Sequence, residues 1–300
     1  MSELRFDERV VLVTGAGNGL GKSHALAFAR RGARVVVNDL GSSTTGEGTS
    51  RSAADEVVSE IIAAGGEAVA NHDSVTEGER IVECALDNFG RVDVIINNAG
   101  ILRDKAFHNM TEEDWDLVYN VHVKGAFKVT HAAWGHLREQ EYGRVLFTAS
   151  AAGLYGNFGQ ANYAMAKLGL HGLAQTLAIE GARRNIVVNT IAPVAGSRMT
   201  ATIMPPAIVE QLKPEFVTPL VVTLCHDSQR DSGGLYEVGA GWAGKLRWQR
   251  SRGHGFPVTA PLQAEQVRDQ WSRITDFSQA DHPASGQEAI MAMLANLQNR

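Results

Sequence analysis

The strongest pattern along this chain is a series of short, unbroken apolar runs set between amphipathic stretches. Arg9 to Thr14 (RVVLVT), Ala33 to Asn38 (ARVVVN), Val92 to Asn97 and Ile186 to Ala192 (IVVNTIA) lack the polar alternation of a half-exposed strand. Runs of this kind predict strands covered on both faces, as in a parallel sheet. Glu67 to Asn71, Val145 to Ser150 and Leu235 to Val238 supply the remaining strands. Between them, apolar residues recur at three- and four-residue spacing, as in Val57, Val58, Ile61 and Ile62, which predicts helices with one buried stripe. Strand and helix alternate. The predicted fold is therefore α/β, a Rossmann-type doubly wound parallel sheet of about seven strands.

A long helix is predicted from Thr111 to Glu139, opened by a capping-box variant at Thr111 and Asp114. Another runs through Leu168, Leu170, Leu173, Leu177 and Ile179 to about Arg184. Residues 1–240 are assigned to the sheet domain and 241–300 to a C-terminal helical extension that serves as a lid or a subunit contact. In that extension Val267, Trp271, Ile274 and Phe277 mark one helix face. Ser285 and Glu288 cap a terminal helix carrying Ile290, Leu294 and Leu297.

Composition narrows the function classes. A formal charge of −5 over 300 residues gives no basic surface for nucleic acid or an anionic membrane. Cys84 and Cys225 sit at helical apolar spacing, as small buried hydrophobes of a reducing compartment do. The N-terminal stretch lacks the basic and apolar regions of a secretory signal. No apolar run approaches the ~20 residues of a membrane span, and the terminal Gln-Asn-Arg is not a peroxisomal tripeptide of the SKL type. The expected location is cytoplasmic. Histidines are scattered without metal-ligand spacing, so no metal is expected.

Gly15-Ala-Gly-Asn18-Gly19-Leu20-Gly21 follows the first strand and opens a helix. Glycine lets backbone approach a pyrophosphate, and the helix N-terminus offers free N–H groups. An ordinary tight turn is the alternative for a glycine cluster alone, and its place between strand and helix favours a dinucleotide. Asp39 closes the second strand, where a carboxylate accepts from ribose hydroxyls and opposes a 2′-phosphate. One like-charge pair at ~4 Å costs roughly 4 kcal/mol at an effective dielectric of ~20, which selects NAD over NADP. Gly41 to Ser50 is polar and Gly/Ser/Thr-rich, and is expected to be a mobile flap near the adenosine end. Asn97-Asn98-Ala99-Gly100 lies at the exit of the fourth strand, where small residues admit ribose and nicotinamide and amides tie strands together.

Ser150, Tyr163 and Lys167 complete an acid–base set. Residues four apart share a helix face, so Tyr163 and Lys167 project together. A phenol ordinarily titrates near ~10, and a neighbouring ammonium is expected to lower that value. Ser150, at the sheet's C-terminal edge behind a loop holding Gly153, Gly156 and Gly159, is placed to hold the substrate oxygen. A half-buried tyrosine beside a solvated lysine is the plain alternative, and the glycine loop upstream argues against it.

These motifs together resemble the short-chain dehydrogenase/reductase family, whose active site is this Ser, Tyr and Lys. The resemblance implies adenine-ring contacts at Asp73, Ser74 and Val75. It implies that Pro193, Ala195, Gly196 and Ser197, where Pro193-Val-Ala-Gly196 replaces a Pro-Gly turn, hold the nicotinamide amide. The family usually carries Asn where His122 stands, three residues before Gly125. That asparagine works largely through its backbone carbonyl, so a histidine is expected to serve and its side chain to be dispensable. The family also packs its two central helices against a second subunit, which implies a homodimer or homotetramer.

A narrower resemblance covers roughly residues 4 to 250, through LRFDERVVLVTGAGNGLG, NNAGILRD, YGNFGQANYAMAKLGL and GGLYEVGAGWAGKLRW. These stretches are similar to the (3R)-hydroxyacyl-CoA dehydrogenase group, which includes units of multifunctional enzymes and free-standing bacterial forms. The resemblance implies an acyl-CoA thioester substrate. Lys245, Arg247, Arg250 and Arg252 offer a basic lip for its phosphates, or simply solvated charges. A hydroxysteroid or other secondary-alcohol dehydrogenase is the second reading, and a non-catalytic NAD-binding module the third.

Overall fold

Every apolar run becomes a strand. In the computed structural model, which describes residues 3–196 and 205–299, these are β1 (Val10–Thr14), β2 (Arg34–Asn38), β3 (Glu67–Asn71), β4 (Val94–Asn97), β5 (Gly143–Thr148), β6 (Ile186–Val194) and β7 (Leu235–Gly239). They pair in parallel in the order β3-β2-β1-β4-β5-β6-β7, with Leu12 opposite Val36 on one side and Ile95 on the other. An eighth strand, β8 (Trp242–Leu246), extends the sheet beyond the seven expected. Ala240 and Gly241 connect it to β7 with φ of 50° and 79°, the paired left-handed conformations of a type I′ hairpin. Alanine rarely adopts that conformation, so nothing in Gly-Ala-Gly marked the turn.

The chain is divided into two compact units, Met1–Lys245 and Leu246–Arg300. In the first, α1 (Gly19–Arg30), α2 (Ser52–Ala63) and α9 (Thr218–Cys225) share one core cluster with the sheet. The other cluster takes α3 (Gly78–Phe89), α5 (Gly125–Glu139) and α7 (Ala161–Gly181). β1 shows why a continuous apolar run was needed. Val11 and Val13 enter the first cluster, Val10 and Leu12 the second, and all four are fully buried. Each such side chain stabilises the fold by about 1.5–3 kcal/mol. Strand order reverses between β1 and β4, and at that point an open α/β sheet forms its ligand crevice.

Several predicted elements fold differently. The helix expected over Thr111 to Glu139 is α4 (Glu112–Tyr119), a π-helical segment (Asn120–Lys124) and then α5. Its capping box is present: the Thr111 hydroxyl accepts from the Asp114 N–H, and the Asp114 carboxylate accepts from the Thr111 N–H. π segments recur at functional sites, and His122 lies inside this one. The glycine loop before Tyr163 contains a short helix, α6 (Ala151–Tyr155), ended by Gly156 at φ 77°. A four-residue helix, α8 (Pro206–Val209), follows residue 204.

The second unit pairs β9 (Arg250–Ser251) with β10 (Ala280–Asp281) in antiparallel fashion and carries α10 (Ala264–Asp269), α11 (Trp271–Ile274) and α12 (Gly286–Asn296). The single helix expected through Val267 and Phe277 is interrupted at Gln270, and Phe277 lies beyond it. Among the described residues no helix is long and apolar enough to cross a membrane.

Candidate active site

The crevice at the switch point is a cavity of about 1000 Å³ lined by the C-terminal ends of the strands. Gly15 and Gly19 turn the chain with φ of 64° and 53°, and Asn18 is the N-cap of α1. A Cβ on Gly21 would lie 2.1 Å from the Gly15 carbonyl oxygen, so only glycine fits that turn. A Cβ on Gly19 would meet nothing within 4 Å, which leaves the backbone there open to a ligand. With no acidic residue in its first turn, α1 presents an N-terminus suited to a pyrophosphate. Gly15, Asn18, Gly19 and Leu20 line the cavity, as do Asp39, Asp73, Ser74 and Val75. Gly21 does not; it closes the turn from behind. This cradle fits a dinucleotide.

Asp39 is more engaged than its sequence position suggests. Oδ2 accepts from the Gly17 N–H at 2.7 Å and Oδ1 from the Gly41 N–H at 2.7 Å. The carboxylate therefore braces the glycine loop as well as facing the crevice. The segment after it is not the free flap expected. Leu102 donates its N–H to the Thr44 carbonyl at 2.9 Å, and Arg103 donates Nε to the Thr45 carbonyl at 2.7 Å. Ser42, Ser43, Thr44 and Gly46 line the cavity, a strap that composition alone did not reveal.

Asn98, Ala99 and Gly100 form the crevice wall. The Asn98 amide donates to the Thr14 and Gly15 carbonyls, both at 3.1 Å, and ties β4 to β1. Gly100 has a second reason to be small. A Cβ there would lie 2.4 Å from Cε1 of His122. The imidazole is buried, with Nε2 within hydrogen-bonding distance of both the N–H (3.0 Å) and the carbonyl (2.9 Å) of Ile101. Its ring meets Tyr163 edge-on, centroids 5.2 Å apart at 90°. Burial first, then the Lys167 charge, holds it well below the ordinary imidazole range, so it is neutral. These contacts give the ring a packing role beside Tyr163 and Ile101 that the sequence did not indicate.

Ser150 caps α6, its hydroxyl accepting from the Ala152 N–H at 3.2 Å. Tyr163 and Lys167 rise one turn apart on α7, and all three line the cavity with His122. Lys167 is 3% exposed. Its Nζ donates to the Thr148 carbonyl at 2.6 Å and lies 5.4 Å from the centre of the Tyr163 ring. The expected lowering of the phenol by the ammonium is reversed in this structure. Burial pushes Tyr163 up to about 12, against a lowering by the Ser150 hydroxyl, and Asp104 raises it further. Burial pulls Lys167 down to about 7. Both groups are enclosed, and desolvation disfavours whichever form is charged.

Asn162, fully buried, fixes the start of α7. Its amide donates to the Arg103 and Asp114 carbonyls at 3.2 and 3.1 Å, and its oxygen accepts from the Tyr163 N–H at 2.7 Å. Pro193 and Ala195 line the far side of the cavity. Gly196 does not: a Cβ there would lie 2.2 Å from the Val209 carbonyl, so it packs against the following segment. Ser197, expected to help hold the nicotinamide amide, lies outside the described residues, as do residues 198–204. Of the proposed basic lip, Lys245 pairs with Asp231 at 2.8 Å, Arg250 with Asp281 at 2.7 Å, and Arg252 donates to Gln279 at 2.6 Å. Those three charges are already committed. Among the described residues no His, Cys, Asp and Glu cluster could hold a metal ion.

A mostly parallel sheet with a glycine cradle at its switch point and this Ser, Tyr and Lys around one cavity defines a class, the oxidoreductases that use a nicotinamide dinucleotide. The chain belongs to the short chain dehydrogenase family, whose model matches residues 9–206. It is 60% identical over 289 residues to the mouse peroxisomal multifunctional enzyme type 2, covering 96% of this chain and 39% of that one. The full-length peroxisomal multifunctional enzyme type 2 of Drosophila melanogaster superposes with a TM-score of 0.84 at 45% identity, covering 97% of this chain and 50% of that one. A short chain dehydrogenase from Mycobacterium avium superposes with a TM-score of 0.78 at 40% identity, covering 89% and 94%. The chain thus spans half or less of the length of those multifunctional relatives and nearly all of the bacterial one.

Proposed function

We propose that this chain oxidises the 3-hydroxyl of a (3R)-hydroxyacyl-CoA to the 3-ketone with NAD, in the breakdown of fatty acids or sterol side chains. The observation that carries the reading is the convergence of Ser150, Tyr163 and Lys167 on the cavity that Asp39 and the glycine loop also line. The extended likeness to the multifunctional enzymes adds the substrate class. Ser150 holds the carbinol oxygen, and the Tyr163 phenol oxygen takes the hydroxyl proton. In its ammonium form Lys167, 5.4 Å from the ring centre, works against the rise that burial imposes on the phenol, and it binds the cofactor ribose. His122 holds the Tyr163 ring edge and the Ile101 backbone in place. When bound, the nicotinamide supplies the hydride acceptor. Asp39 opposes a 2′-phosphate and so favours NAD.

A hydroxysteroid or other secondary alcohol is the second substrate reading, because the core site does not itself fix the acyl group. Exposed Phe127, Leu168 and Ile179 on α5 and α7 fit the homodimer or homotetramer of the same reading. The relatives named peroxisomal favour that compartment over a cytoplasmic one.

Absorbance at the reduced-nicotinamide band tests the proposal, with (3R)- and (3S)-hydroxyacyl-CoA, a hydroxysteroid and a plain secondary alcohol as substrates. The (3R) thioester is expected to be oxidised best. In Tyr163→Phe its turnover should fall by at least ~10²-fold while NAD binding stays nearly intact. A variant keeping a tenth of the parent activity would remove Tyr163 from the acid–base role.

A further inference from the structure

The segment after Gly100 is pinned to the segment before Tyr163 by its backbone. Lys105 donates its N–H to the Gly159 carbonyl at 2.8 Å, and Asn162 reaches the Arg103 carbonyl. That register sets the carboxylate of Asp104 against Gln160. Gln160 Nε2 donates to Asp104 Oδ2 at 2.7 Å, and Gln160 Oε1 accepts from Asn157 Nδ2 at 2.9 Å. Gln160 is 5% exposed, lines the same cavity as Ser150 and Tyr163, and lies three residues before Tyr163.

The amide is held in one orientation. A carboxylate only accepts and the Asn157 NH₂ only donates. A flip of Gln160 would set oxygen against carboxylate and NH₂ against NH₂, losing two hydrogen bonds at once. One N–H of Gln160 is used by Asp104. Nε2 makes no second hydrogen bond among the described residues, and because Gln160 lines the cavity its other N–H is the donor available to a ligand there. The chemistry assigned to Ser150 and Tyr163 needs no such group, since they already hold the carbinol oxygen. A substrate with one oxygen would leave this buried donor unmatched, whereas a 3-hydroxyacyl thioester carries a carbonyl two carbons from its carbinol.

We propose that Gln160, oriented by Asp104 and Asn157, is a specificity-determining residue that donates to the thioester carbonyl and so selects β-oxygenated acyl substrates over plain secondary alcohols. This rests on the (3R)-hydroxyacyl reading above. A site built to hydrogen-bond a substrate group penalises the analogue that lacks it, because the site's own polar group is then left unpaired. Asp104 acts through Gln160 and is a positioning residue.

The test is steady-state oxidation of a (3R)-hydroxyacyl-CoA and of a secondary alkanol of similar length, with NAD affinity measured by calorimetry. In Gln160→Leu, which keeps the volume and removes the amide, kcat/KM for the thioester should fall ~10- to 100-fold. Alkanol oxidation and NAD affinity should stay within about twofold. Asp104→Asn, which keeps a hydrogen-bond partner but permits the flip, should give a smaller loss in the same direction. An equal loss on both substrates, or none on the thioester, overturns the assignment of Gln160 and leaves the function standing. A parent enzyme that does not oxidise the thioester overturns the functional reading itself, and this inference falls with it.

Discussion

Asp39 accepts the Gly17 N–H at 2.7 Å through one carboxylate oxygen and the Gly41 N–H at 2.7 Å through the other. The residue expected to read the ribose therefore also holds the phosphate loop. Hydrogen bonds to charged groups are worth about 1.5–3 kcal/mol, so the two roles cannot be separated by deleting the side chain. Asp39→Ala should weaken NAD binding ~10- to 100-fold while changing NADP binding much less, because lost repulsion offsets the loosened loop. Calorimetry with both cofactors checks this. Unchanged NAD affinity in the variant would show that the loop keeps its shape without the brace.

The local features of the site were legible because each is written in consecutive residues. The glycine loop, Asn98-Ala99-Gly100 and the Tyr163–Lys167 pair need only a strand end or a helix turn to be read. What escaped was contact between distant segments. Nothing near Gly100 shows that its hydrogen faces the His122 ring. Nothing in a Gly/Ser/Thr run shows that Thr44 and Thr45 are tied to Leu102 and Arg103. The direction of the Tyr163 shift depends on how deeply the site is enclosed, which spacing along a helix does not encode. The hairpin into β8 escaped for a local reason, since Ala240 takes a φ that alanine rarely adopts.

The Gly100–His122 contact predicts a suppressor. Gly100→Ala puts a methyl group 2.4 Å from Cε1 of the imidazole, which must then leave Ile101 or press on Tyr163. Activity should fall at least tenfold, about 1.4 kcal/mol. His122→Ala should also be impaired, because the buried Ile101 N–H loses its partner at a cost of ~1–3 kcal/mol. Combining Gly100→Ala with His122→Asn, a smaller side chain that still carries donor and acceptor, should recover much of the loss. A double variant no better than Gly100→Ala alone, with folding intact by circular dichroism, would show that the ring is not what the methyl group strikes.

Burial of Lys167 predicts an unusual dependence of stability on pH. Its proton affinity in the fold, about 7, lies below that of the unfolded chain, near 10.5. Between those values the unfolded state binds more protons, so stability rises with pH through the window. Below it, both states carry the charge and the fold bears the cost of enclosing it, a few kcal/mol at about 1.4 kcal/mol per tenfold change in affinity. Tyr163, raised to about 12, acts oppositely only above pH ~10. Urea unfolding of the parent should therefore show a midpoint climbing from pH 6 to 9. Lys167→Met should be inactive, more stable than the parent at pH 6, and flatter across the range. A variant less stable at pH 6 would mean the ammonium's bond to Thr148 outweighs its desolvation.

The strap over the crevice predicts control of cofactor exchange. Residues 42–46 cross from the exit of β2 toward that of β4, held by the Leu102 N–H to Thr44 and by Arg103 to the Thr45 carbonyl. Arg103 also meets Glu47 at 3.3 Å. Glu47 is 70% exposed at that pair, and an exposed ion pair is worth only ~0.2–1 kcal/mol. The charged donor on the Thr45 carbonyl contributes more, about 1.5–3 kcal/mol. If a dinucleotide in the lined cavity leaves past this strap, these bonds belong to the barrier for its release. Arg103→Ala should speed dissociation of reduced cofactor roughly tenfold, measured by stopped-flow fluorescence, with a smaller change in its association rate. Glu47→Ala should do little. If release limits turnover, as it does in many enzymes with closing loops, kcat of Arg103→Ala should rise rather than fall. An unchanged dissociation rate would show that the strap rests on the crevice without gating it.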